Sequence, residues 1–142
     1  MATIKSHTDI PQSKKLAEFL PLESADMRYG YIASYDYSDR MYDGGYDEIP
    51  YPKDFLIKNP NFSADEYEAE LPCWSLAALF NIIPKRIKDY NVLRIDVNEN
   101  NTSIWYDEIG CGVSNDLPDV TKESAIDSCY EMIIKLNELN LL

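Results

Sequence analysis

Apolar and polar positions follow two rhythms along this chain, one with a period near 3.6 residues and one with a period of two. The first helical stretch opens at Thr8 or Asp9, either of which can cap it, with Pro11 suited to the first turn. Leu16, Ala17, Phe19 and Leu20 supply a short apolar face, and Pro21 ends the helix because it lacks an N–H and disfavours helix in the residue before it. Pro72 to Ile83 is the most apolar helix candidate, with Pro72 in its first turn and Pro84 as its stop. Its apolar residues cover nearly every face, the mark of a central buried helix. The last helix is expected to start from Thr121 as N-cap, with Glu123 in its first turn. It should run to about Leu139, placing Ile126, Cys129, Tyr130, Ile133, Leu136 and Asn137 at spacings of three and four. Lys135 near its end suits the helix dipole.

The period of two occurs in two places. Tyr29, Tyr31, Tyr35 and Tyr37 recur at even spacing and predict short strands, with Asp43-Gly44-Gly45 as a turn signal and Pro50, Pro52 and Pro60 marking loop-like chain. Val92 to Val97 and Thr102 to Asp107 alternate on either side of Asn98-Glu99-Asn100-Asn101, which predicts a β-hairpin. On this reading Leu93, Ile95 and Val97 face the core, and Arg94 and Asp96 face away. The elements together predict an α+β fold, a mostly antiparallel sheet that includes the 92–107 hairpin and is packed with two or three helices. A chain of 142 residues is the size of one domain, so residues 1–142 are expected to form a single α+β domain with residues 1–8 as a frayed tail.

Charge narrows the function classes. The chain has 25 acidic and 13 basic side chains, a net charge of −12, so it should repel nucleic acid and anionic lipid rather than bind them. The expected partner is a basic protein surface; nothing in the pattern fixes the oligomeric state. No segment has the apolar length of a membrane helix, and the N-terminal residues lack a signal-peptide pattern, which points to the cytoplasm. Cys73, Cys111 and Cys129 are odd in number and widely spaced, which argues against a disulfide framework and a zinc site. Cys73 and Cys129 fall in helical patterns as small core residues, whereas Cys111 lies in a Gly110-Cys111-Gly112 turn.

Candidate chemistry is sparse. Ser–His or Cys–His catalysis would have to recruit His7, the one histidine, from the expected tail. Asp26, Asp36, Asp96, Asp107 and Glu108 are candidate carboxylates for a hydrolase, with Glu108 the best placed, after the Trp105-Tyr106 pair. The stretch from Asp36 to Gly45 has oxygen ligands but not the EF-hand spacing, and Arg40 adds a positive charge, so no metal is expected. The glycines form no phosphate-binding loop, and no cofactor is expected.

Residues 23 to 70 hold eight of the eleven tyrosines and twelve acidic against four basic side chains. Tyrosine gives stiff, amphipathic contact area, and carboxylates around it select basic partners. The expected partner surface therefore lies within residues 26 to 51, centred on Tyr35, Tyr37, Asp39, Tyr42 and Asp43. The alternative for the same composition is a sheet whose tyrosine rings cover its own core.

Two blocks carry a resemblance. Gln12 to Glu18 with Pro21 to Met27 forms the first; Leu71 to Leu79, Trp105 to Gly110 and Ile126 to Met132 form the second. They resemble a group of short uncharacterised proteins from gut anaerobic bacteria and their phages and mobile elements. The resemblance implies a bacterial, cytoplasmic, mobile-element setting and brings no activity or site residues with it. The resulting expectation is a non-enzymatic acidic protein-interaction domain, an inhibitor, immunity-type or accessory factor. The alternative is a carboxylate-dependent hydrolase or carbohydrate-binding module using the Tyr/Trp-rich surface.

Overall fold

A computed structural model of the chain describes residues 5–35, 41–46, 49–52, 67–110, 112–113 and 116–142. The chain divides into two compact units, Asp9–Trp74 and Met1–Thr8 with Ser75–Leu142. Both combine helix and antiparallel strand, so the fold is α+β, with the strands in two sheets.

In the unit Asp9–Trp74, helix α1 spans Ile10–Ala17. Asp9 is its N-cap and takes part in a capping box: its carboxylate accepts from Gln12 N–H at 2.8 Å, and the Gln12 side chain accepts from Asp9 N–H at 3.1 Å. Leu16 is buried, whereas Ala17 is exposed and the helix closes at Glu18, ahead of Phe19 and Leu20. Strand β1 (Met27–Tyr35) is central, with β2 (Met41–Tyr46), β3 (Tyr51–Pro52) and β4 (Tyr67–Cys73) all antiparallel to it. Met27 pairs with both Pro52 and Cys73, and Ile32 with both Gly45 and Tyr67. Strand β4 thus lies along one edge of β1, and β2 and β3 follow one another along the other.

Two expectations change here. Asp43-Gly44-Gly45 lies inside β2 instead of forming a turn. Between the pairs Ile32–Gly45 and Ser34–Tyr42, β1 advances two residues and β2 three, so the glycine pair serves a β-bulge. Pro72 lies in β4 opposite Arg28, not in a helix. An edge strand tolerates proline because one side of its backbone has no ladder to complete. Cys73 is therefore a strand residue, buried with Tyr29 and Leu71 against the partly buried Ile10 and Met27.

In the second unit, α2 (Leu76–Ile82) starts from Ser75, whose hydroxyl accepts from Ala78 N–H at 3.3 Å. It is shorter than the expected 72–83 helix, since Ser75 rather than Pro72 provides the N-terminal cap. At its C-terminal end the Lys85 ammonium donates to the carbonyls of Phe80 and Ile83, satisfying groups that the helix leaves open. The sheet runs β5 (Arg86–Ile87), β6 (Asn91–Val97), β7 (Thr102–Glu108), with β8 (Gly112–Val113) and β9 (Val120–Lys122) pairing different ends of β7. The β6–β7 hairpin forms in the expected register. Its turn is held by Asn98, whose side-chain oxygen accepts from the N–H groups of Asn100 and Asn101.

Helix α3 (Ala125–Glu138) lies on β7 and β9 and buries Ile126, Cys129, Met132, Ile133 and Leu136. Its N-cap is Ser124, which accepts from Asp127 N–H at 3.0 Å; Thr121 instead extends β9, opposite Ser103. Of the tail expected to fray, residues 1–4 lie outside the described residues, and the rest is tied in: Thr8 is buried, His7 bridges to Ser75, and Lys5 pairs with Asp127 at 2.8 Å.

Candidate functional site

The hairpin presents two different surfaces. Leu93, Ile95 and Val97 stand opposite Tyr106, Ile104 and Thr102 and share their face. Along β7 all three of those residues are buried. Along β6 burial falls away: Leu93 is half-buried, Ile95 is 38% exposed and Val97 68% exposed. The expected core role of Ile95 and Val97 is corrected by the position of α3, which rests on β7 and β9 and leaves the outer half of β6 uncovered.

The backbone of β6 is open in the same place. Leu93 N–H donates to Lys85 O at 3.0 Å, away from β7. Antiparallel strands alternate the side to which residues turn their N–H and C=O groups. Ile95 and Val97 therefore point theirs outward as well. Strand β5 pairs β6 only at Asn91 and Val92, and among the described residues no strand lies beside Ile95 and Val97.

On the opposite face, Asp107 binds two neighbours. Its Oδ2 accepts from Arg94 Nε at 3.1 Å and its Oδ1 from the Trp105 indole N–H at 2.9 Å. This arrangement orients the tryptophan and occupies the carboxylate. Asp96 and Glu99 are exposed and form no ion pair among the described residues.

The candidate carboxylates are dispersed. Asp26 and Asp96 are exposed, Asp36 lies outside the described residues, and Asp107 and Glu108, being consecutive in β7, point to opposite faces. Glu108 lines a cavity of about 200 Å³ together with Lys88, Tyr90, Asn91, Asp116, Leu117, Leu139 and Leu141. Sequence reasoning singled out Glu108 in it and missed the rest. Asp116 and Leu141 come from segments with no periodic signal, and Leu139 stands at the end of the last helix, where periodicity fades.

Of the expected partner surface, Tyr37 and Asp39 lie outside the described residues, and so does Cys111. Tyr35 ends β1 opposite Met41, while Tyr42 and Asp43 belong to β2. Tyr29 is a core ring: burial and the adjacent Cys73 raise its phenol well above the usual range. His7 Nδ1 lies 3.0 Å from the Ser6 hydroxyl. Among the described residues no group of His, Cys, Asp and Glu side chains is placed to hold a metal ion, and no helix is long and apolar enough to cross a membrane.

No family model, curated protein or solved structure matches the chain. Fold and site together define an acidic α+β protein with an uncovered strand edge and a small polar cavity.

Proposed function

We propose that this chain is a non-enzymatic protein-interaction domain that receives an extended, basic segment of a partner protein along the outer edge of β6. The observation that carries this reading is the coincidence, at Ile95 and Val97, of outward-facing backbone groups and exposed apolar side chains. Strand addition uses both, the backbone for affinity and alternate side chains for selectivity. An uncovered edge of this kind is otherwise a hazard that proteins blunt with charged side chains, proline or a bulge; from Arg94 to Val97 there is no proline or bulge, and the two charges, Arg94 and Asp96, stand on the face opposite the apolar pair. Charge supports the sign of the partner. Asp96 and Glu99 flank the edge, and the chain as a whole carries −12, which opposes pairing of two copies.

The setting that the resemblance implies, an inhibitor, immunity-type or accessory factor of a bacterial mobile element, fits a small acidic binder of this kind. The test is the binding of a labelled peptide of alternating valine and lysine. Val97→Pro removes one outward N–H without touching the β7 ladder and should abolish binding. Asp96→Lys should slow association and weaken its dependence on salt. Retained affinity in Val97→Pro, with loss instead in a Tyr42→Ala/Asp43→Ala variant, would move the interface to the Tyr/Asp-rich stretch. Dimerisation without peptide binding would make the edge a self-contact.

A further inference from the structure

The cavity beside Glu108 has features that the strand edge does not explain. Asn91 and Glu108 are directly opposed across β6 and β7, so both side chains rise on one face. Asn91 is only 4% exposed, and its Oδ1 is sealed from solvent with no donor from any described residue. A buried amide oxygen left without a donor is costly, so its retention calls for a reason. Asn91 also lines the cavity, so its amide would have to turn about the soft terminal torsion to bring Oδ1 to a ligand there.

The rest of the lining sets the chemistry of a ligand. Glu108 and Asp116 bring two carboxylates against the one ammonium of Lys88. Tyr90, Leu117, Leu139 and Leu141 supply the apolar wall, and Tyr90 and Leu139 are about half exposed at 48% and 50%. The turn that delivers Lys88 and Tyr90 is strained, since Lys88 and Asp89 both take the left-handed backbone conformation without being glycine, at φ 54° and 62°.

We propose that this cavity binds a small primary amine with a short branched apolar arm. The ammonium would sit between Glu108 and Asp116 and donate one N–H to Asn91 Oδ1, while the arm lies on the leucines. Size agrees: a cavity of about 150 Å³ holds benzene, so this one takes a ligand of only slightly more atoms.

The probe is 3-methylbutylamine, titrated at constant pH and ionic strength into the ¹⁵N-labelled full chain, with 4-methylpentanoate as the matched carboxylate. Saturable amide shifts at Asn91, Glu108, Leu117 and Leu141 with the amine, at least tenfold weaker with the carboxylate, are expected. Asp116→Asn is a conservative change at an exposed residue and should preserve the fold while weakening the amine at least tenfold; Glu108→Gln should do the same. Equal response to both probes, no saturable shift, or unchanged amine binding in both variants overturns the proposal.

Discussion

The Ser128 hydroxyl joins three elements. It lies on α3, is fully buried, donates to Thr102 O of β7 at 2.6 Å and accepts from Lys122 N–H of β9 at 3.1 Å. These two backbone groups belong to directly paired residues, so the hydroxyl closes the end of the ladder where the helix crosses it. Ser128→Ala should destabilise the protein by about 1–3 kcal/mol, because both groups stay buried without a substitute. Chemical denaturation of the two proteins measures this. At the next residue of α3, burial pushes the Cys129 thiol up to about 12, with the Lys85 ammonium opposing the rise. The thiol of the unfolded chain ionises near its ordinary 9.0, so stability from this group is complete below that pH and declines as pH rises from 9.0 towards 12. Tyr106 shifts in the same direction through burial. Native Cys73 and Cys129 should accordingly resist a disulfide reagent at pH 8 in a Cys111→Ser background. Rapid labelling before denaturant is added would contradict their burial. None of this was legible in the sequence beyond Cys73 and Cys129 as core residues, because a serine on a helical stripe carries no sign of what its hydroxyl will meet.

At the scale of elements, periodicity located the helices and the hairpin correctly, and termini were where it failed. The hairpin was readable because period-two patterning and a turn cluster agree, and Asn98 folds that cluster with its own side chain. Thr121 and Ser124 are both good caps by type. Pairing decides between them, since Val120 to Lys122 completes an edge of β7 and leaves Ser124 to start the helix. Ser124→Ala should therefore cost about 1 kcal/mol. Thr121→Ala should cost less, losing only a hydroxyl contact with Ser103 at 2.8 Å on an exposed face. Equal losses in urea melts would contradict the assignment. In α2, Leu79 is fully buried and Leu76 only half-buried. Leu79→Ala should cost about 2–5 kcal/mol and Leu76→Ala clearly less. The uniformly apolar pattern from Pro72 to Ile83 could not show this, because it runs through the end of a strand, a cap and a short helix.

For the molecule as a whole, composition gave the sign of the charge and the order of the elements gave the α+β class, while the place of the uncovered edge was in neither. The acidic, tyrosine-rich stretch drew attention to residues 26 to 51, yet Tyr29 there is a core ring, and the uncovered backbone lies at Ile95 and Val97. Alternation put these two on the right face but could not tell that α3 stops short of them. The proposed function therefore depends on a property of the free protein that amide hydrogen exchange reads residue by residue. Along β6, Arg94 and Asp96 turn their N–H groups towards β7 and should be protected, whereas those of Ile95 and Val97 should exchange at near-unprotected rates until a basic β-peptide is added, and then slow. Equal protection at all four positions in the free protein, or no slowing at Ile95 and Val97 on saturation with the peptide, would contradict the account.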